Sequence, residues 1–209
     1  MRNVDVIIPS KGKLNLAPLI ASLRYLPFDW RLHLILEGNT WPEAVNSGIA
    51  ESKYDIVLMD DDVVLMPDTF KELNNDYKNA DIFGFKLLFP DGSLQHAGGF
   101  IENGKIGHRG FKEDADQYEK KEYVDHVTTS LCYIKRKVIK KLGGMATDYP
   151  GYQFEDVDFN IRAKRAGFKI RYLPQTAIHF ESATKKQDPE FQDKLNLNYE
   201  EIKRRFNLQ

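Results

Sequence analysis

The sequence predicts an α/β fold with a mixed, mostly parallel central sheet flanked by helices. Three observations carry this. Short apolar runs alternate with amphipathic segments through the first third of the chain, the pattern of βαβ units. One of these runs, Ile56-Val57-Leu58-Met59, stops abruptly in three acids, Asp60, Asp61 and Asp62; in open α/β sheets, ligands bind beyond the carboxyl ends of strands. No internal repeat or low-complexity linker interrupts the 209 residues, a length that suits one large core.

The elements follow in order. Val4 to Pro9 reads as a strand ended by Pro9. Leu16, Leu19, Ile20, Leu23 and Leu26 recur at helical spacing, with Asn15 as N-cap. Leu32 to Glu37 is the second strand, and Gly38-Asn39 turns into a helix around Glu43 to Ala50. Asp55 to Met59 is the third strand. Pro67-Asp68 opens a helix with Phe70, Leu73 and Tyr77 inward. Ile82 to Phe89 is a strand before a Pro90-Asp91-Gly92 turn. Gly98 to Glu122, rich in Gly and charge, reads as a hairpin and then a mobile loop. A strand at Val127 to Ile134 precedes a short helix, Val138 to Leu142, stopped by Gly143-Gly144. Phe154 to Ala166 is a helix closed by Gly167. Ile170 to Leu173 and Thr176 to Phe180 are short strands around Pro174. Leu195, Tyr199, Ile202 and Phe206 give the tail the periodicity of a docked helix. The expected organisation is one domain over 1–209, with a nucleotide-binding half at about 1–95 and a more variable half at about 96–209. A place within a longer chain also fits a tail that ends soon after this helix.

Composition narrows the function. Thirty basic against 31 acidic residues give a net charge of -1, so no basic field points to nucleic acid. The single Cys132 rules out an intramolecular disulfide framework and a thiolate zinc site, and reads as a buried small hydrophobe. No signal-peptide core opens the chain, and no apolar stretch approaches the roughly 20 residues needed to span a bilayer. A soluble, cytoplasmic protein is expected.

Four constellations bear on chemistry. Asp60, Asp61 and Asp62 repel one another, so a cation belongs there. Asp60 and Asp62 alternate along the strand and suit Mg²⁺ or Mn²⁺ shared with a diphosphate. A solvated acidic turn is the bland alternative. Asp60-x-Asp62 also fits the haloacid-dehalogenase phosphatase pattern, whose first Asp is a nucleophile, although here two strand–helix units precede it. In Phe154-Glu155-Asp156-Val157-Asp158 the acids suit a helix N-terminus, and Asp158–Arg162 is an i,i+4 pair. Glu155 and Asp156 equally supply what glycosyl transfer needs, one acid to orient an acceptor hydroxyl and one to take its proton. His179, alternating with apolar residues, is either a satisfied strand residue or a nitrogen ligand beside an acidic metal site. Gln95-His96-Ala97-Gly98-Gly99 permits a close backbone approach to a ligand or a β-bulge.

Together, from about residue 3 to 182, these pieces resemble the GT-A glycosyltransferases of the family-2-like inverting group. Val6-Ile7-Ile8-Pro9-Ser10 resembles the strand end that holds the base, and Glu37 stands where the family more often has a base-contacting Asp. Ala44-Val45-Asn46-Ser47-Gly48 is similar to the family's Asn-x-Gly helix. Asp60-Asp61-Asp62 resembles the DXD motif, Glu155-Asp156 the acidic motif with the catalytic base, and Tyr172-Leu173-Pro174 with His179 the terminal strand and its metal-binding histidine. The Asp-Gly-Ser usual after the second strand is absent. The resemblance implies an inverting transfer from a nucleoside-diphosphate sugar, UDP-linked in the first instance, to a hydroxyl of a glycan or glycoconjugate. Pro9, Ser10, Glu37, Asn46, Asp60 and Asp61 would bind the nucleotide. Asp60, Asp62 and His179 would ligate Mn²⁺ or Mg²⁺. Asp156 would be the base, Glu155 would orient the acceptor, and the loop from Gly104 to Glu122 would close as a lid. Gln95-His96-Ala97-Gly98-Gly99 resembles a stretch of members that transfer rhamnose or related hexoses. A sugar-nucleotide pyrophosphorylase shares much of this fold, but its Gly-rich basic N-terminal loop is missing.

Overall fold

A computed structural model describes residues 2–12, 14–150, 153–181 and 189–208. The central sheet joins strands from both halves of the chain. It contains β1 (Asn3–Pro9), β2 (Asp29–Ile35), β3 (Asp55–Met59), β4 (Val63–Leu65), β5 (Ile82–Leu88), β10 (Leu131–Ile134) and β11 (Ile170–His179), in the order β2-β1-β3-β10-β5-β11-β4. β2, β1, β3, β5 and β11 run one way; β10 and β4 run the other. Short strands β6 (Leu94–His96) and β9 (Glu122–Tyr123) pair with β5 and β11, and β7 (Gly99–Glu102) and β8 (Lys105–His108) form a separate hairpin.

Alternation along the strands builds a core on each face. Val6, Val57, Met59, Leu131, Tyr133, Phe83 and Phe85 pack with Leu19 of helix α1 (Ala17–Ser22), with Leu23 in the 3-10 turn that follows it, and with Phe70 and Leu73. Ile7, Ile56, Leu58, Cys132 and Ile134 face the opposite way. They meet Val45 and Ile49 of α2 (Trp41–Glu51), Val138 and Ile139 of α4 (Arg136–Leu142), and Phe159 and Ala163 of α5 (Glu155–Arg165). α5 is covered in turn by α6 (Phe191–Phe206), where Val157 and Ile161 meet Ile202 and Phe206. The sequence-derived class, a mixed α/β sheet between helices, is the observed one.

Several boundaries move, each for a physical reason. β2 ends at Ile35 rather than Glu37 because its register with β1 runs out at Pro9. Its polar start, Asp29 and Arg31, lies on the sheet edge and hides the strand from a hydrophobicity reading. α2 begins at Trp41, a half-turn before the expected start, because Thr40 and Glu43 close a capping box. The expected helix from Pro67 shrinks to α3 (Leu73–Asp76). There the Thr69 hydroxyl takes the Met66 N–H and donates to the Thr176 carbonyl, tying the segment to β11 in turn conformation. β10 begins at Leu131 because the Val127 peptide bonds the Asn160 side chain instead of a neighbouring strand. The two expected strands around Pro174 are one, β11, with a register shift between Leu173 and Thr176 that accommodates the proline.

The expected hairpin is β7–β8, turned by Asn103 and Gly104, both at positive φ. The rest of the expected mobile loop is anchored. Buried Lys86 of β5 donates to the carbonyls of Ala115 and Gln117 and pairs with Glu119. Tyr172 donates to the Tyr118 carbonyl. Those bonds tie residues 115–119 to the sheet in this conformation.

Candidate active site

The site is built at the carboxyl end of β3. Asp60, Asp61 and Asp62 fill the tight turn from β3 to β4, fixed by the Asp60 N–H on the Ser130 carbonyl and the Val63 N–H on the Asp60 carbonyl. β4 lies antiparallel to the end of β11 with Val63 opposite His179, and the Phe180 N–H bonds the Asp62 carbonyl. This pairing brings together residues more than a hundred positions apart. His179 Nε2 stands 3.0 Å from Asp62 Oδ1 and 3.9 Å from Asp60 Oδ2. Among the described residues, Asp60, Asp62 and His179 form a group whose ligand atoms all lie within 4.8 Å of one another. Two hard oxygens and one imidazole nitrogen suit a divalent cation. These three residues would hold such a cation, with its remaining positions open to water and a diphosphate.

The neighbours of this group hold it open. Trp41 Nε1–H donates to Asp60 Oδ1 at 2.9 Å. Ser10 hydrogen-bonds Asp61. Burial raises the Asp61 carboxyl above its ordinary range; the Ser10 bond opposes this, and the charges of Asp62 and Asp60 add to it. Pro9 ends β1 beside this turn, with the Ser10 N–H on the Ile35 carbonyl. Glu37 is exposed, beyond the end of β2. Asn46 does not join the acids. Its amide receives the Met145 N–H at 2.7 Å and donates to the Met145 carbonyl at 2.9 Å, clamping α2 to the segment after α4.

Glu155 and Asp156 open α5. Gln153 and Phe154, immediately before them, both hold left-handed backbone, at φ 64° and 69°. Two non-glycine residues in that region store strain of about 1–3 kcal/mol each, the kind of device that aims a helix start. Gly151 and Tyr152 of the same loop lie outside the described residues. Asn160, buried, donates to the Asp156 carbonyl at 2.6 Å and to the Val127 carbonyl at 3.0 Å, and accepts the Val127 N–H. It binds the first turn of α5 to the segment leading into Ser130, whose carbonyl holds Asp60. Burial pushes the Cys132 thiol far up, and both Asp156 and Asp60 push it further. Asp158 differs: fully buried, it accepts from Tyr149 at 2.9 Å and from Arg162 at 2.5 Å. That is the structural ion pair expected from its spacing.

Gln95-His96-Ala97-Gly98-Gly99 crosses behind the acids. His96 Nδ1 lies 2.7 Å from His108 Nδ1, and the His96 and His126 rings are 6.3 Å apart. Burial holds His96 and His126 well below the usual imidazole range, His126 at about 4, so both are neutral near pH 7. Gly99 exists for His126: a Cβ there would stand 2.0 Å from the imidazole. The ring is held by its bond to the Gly107 carbonyl. Gly99→Ala is expected to cost about 1–3 kcal/mol as overpacking, read as a lower denaturant midpoint at unchanged slope. Trp41 and Asn160 are the site's neighbours that sequence reasoning missed, and Gln95, flagged within its motif, bonds His179. For Trp41, the Thr40-x-x-Glu43 cap that places it was legible.

Comparison with known proteins adds the lineage. An uncharacterized protein of Sinorhizobium fredii, y4gI, is 29% identical over 175 residues, which are 77% of this chain and 19% of that protein. The O-antigen biosynthesis protein RfbC of Myxococcus xanthus is 25% identical over 229 residues, 88% of this chain and 18% of that protein. The chain thus spans about a fifth of the length of these curated relatives. The crystal structure of A197 from STIV superposes with a TM-score of 0.57 at 17% identity, covering 87% of each chain, a likeness of fold alone. No helix among the described residues is long and apolar enough to cross a membrane. The model of the glycosyltransferase like family 2 matches residues 35–198, from the end of β2 into α6, and the chain belongs to that family.

Proposed function

We propose that the chain is a metal-dependent, inverting glycosyltransferase that moves a hexosyl or deoxyhexosyl group, rhamnose included, from a nucleoside-diphosphate sugar to a hydroxyl of a glycan or glycoconjugate. A UDP-sugar is the favoured donor, and the chain works as one domain with its donor half first. The observation that carries this is the convergence of Asp60, Asp62 and His179 at the end of the sheet to which Asn160 ties Asp156. Family membership weighs against the phosphatase and pyrophosphorylase readings.

Pro9, Ser10, Asp61 and the exposed Glu37 would hold the base and ribose, with Asp60 shared between ribose and metal. Asn46, spent on Met145, would shape that wall rather than touch the nucleotide. Asp60, Asp62 and His179 would hold Mn²⁺ or Mg²⁺, which when bound neutralises charge gathering on the departing diphosphate. Asp156 would take the proton of the acceptor hydroxyl as its oxygen attacks the anomeric carbon from the face opposite the diphosphate. The C–O bond to the acceptor forms as the bond to the diphosphate breaks, inverting the configuration. Glu155 would orient the acceptor.

A thermal-shift screen of UDP, GDP and TDP, each with and without Mn²⁺, tests this reading. UDP with Mn²⁺ is expected to raise Tm most, with about 2.7 kcal/mol of stabilisation at a hundredfold excess over Kd. Indifference to every nucleotide, combined with hydrolysis of simple phosphomonoesters, would sink the proposal in favour of a phosphatase.

A further inference from the structure

The motif Gln95-His96-Ala97-Gly98-Gly99 contributes nothing to the transfer as described, yet it reaches the metal group. Gln95 lies where the pairing of β6 with β5 shifts register, between Leu87↔His96 and Leu88↔Leu94. Such irregularities re-aim a side chain. Gln95 is buried, and its Oε1 is 2.6 Å from His179 Nδ1.

An amide oxygen can only accept, so Nδ1 carries the hydrogen. A neutral imidazole has one N–H and one lone pair. A hydrogen kept on Nδ1 by Gln95 leaves Nε2, the atom that faces Asp62 and Asp60, to give its lone pair to a cation bound among them. That is the atom a cation requires. The other tautomer would direct an N–H at the cation's position.

We propose that Gln95 is a positioning residue for the metal site: its side-chain carbonyl locks His179 in the Nδ1–H tautomer and aims Nε2 at Asp60 and Asp62. This rests on the metal reading above. Carbonyl partners of this kind fix ligand tautomers and raise ligand basicity, and losing one typically costs 10–100-fold in metal affinity.

Two variants separate the cases. Gln95→Met keeps the length and removes the acceptor, whereas Gln95→Glu keeps the acceptor. Long-range ¹H–¹⁵N spectra of the protein saturated with diamagnetic Mg²⁺, with His179→Ala to assign the ring, should show a slowly exchanging, hydrogen-bonded Nδ1–H in the wild type and Gln95→Glu, and a fast-exchanging one in Gln95→Met. Titration with Mn²⁺ alone, followed by the electron paramagnetic resonance of the free ion, should give roughly 10- to 100-fold weaker binding for Gln95→Met and near wild-type binding for Gln95→Glu. An Nδ1 without hydrogen in the Mg²⁺-loaded wild type overturns the proposal, and that reading does not depend on any variant folding. So does a folded Gln95→Met that keeps wild-type affinity. A wild type that takes up no Mn²⁺ overturns the ligand role together with the metal reading, whereas normal uptake with no hydrogen on Nδ1 overturns the positioning alone.

Discussion

Asp156→Asn is expected to lower the rate of transfer about 10²–10⁴-fold, the usual contribution of a general base, with KM for the donor little changed. The substitution is close to isosteric, and Asn can still accept the Val157 N–H that Asp156 Oδ1 accepts at 2.8 Å. The clamp from Asn160 goes to the Asp156 backbone carbonyl, not to its carboxylate. The fold should therefore survive, and a melting curve matching the wild type is part of the expectation. Asp158→Asn is the contrasting variant. That carboxylate is buried against Tyr149, Arg162 and Arg205, and weakening the network should lower stability by roughly 3–5 kcal/mol, as when a buried pair is broken. Near wild-type transfer by Asp156→Asn would remove the base assignment, and the proton would have to leave through Glu155 or solvent.

The two helix-start acids and their neighbour show how far the sequence could be read. Composition and spacing placed Glu155, Asp156 and Asp158 on one helix, and the Asp158–Arg162 pair followed from i,i+4 geometry alone. The left-handed backbone of Gln153 and Phe154 could not be foreseen, because neither residue type favours it. β3 was legible to the residue, since a buried central strand announces itself by hydrophobicity. β2, an edge strand with polar residues, was displaced by three at its start, and its true limits come from pairing with β1. The acids and His179 could each be flagged as ligands from residue type. Their approach depends on β4, a three-residue strand too short for any periodicity to reveal. The contacts themselves, Gln95 on His179 and Trp41 on Asp60, follow from no sequence spacing, even though the motif around Gln95 and the cap beside Trp41 are legible.

Chelation of Mn²⁺ and the substitution Asp62→Asn are expected to have the same consequence, loss of transfer on the order of 10³-fold, because several kcal/mol of charge stabilisation at the diphosphate is forfeited and each 1.36 kcal/mol is tenfold. Asp62 is the probe of choice because, of the acids in the group, it lies nearest His179 Nε2. The Asp62 side chain is 8% exposed and 3.0 Å from His179 Nε2. Its charge also acts against Asp61, so removing it relieves repulsion within the turn. Metal-free Asp62→Asn should consequently melt close to the wild type, while the rise in Tm on adding Mn²⁺ disappears. This pattern separates a lost ligand from a damaged fold, which would lower both melting curves and leave the increment. Full activity after exhaustive chelation would leave the carboxylates facing the diphosphate unscreened, and the donor would have to bind elsewhere.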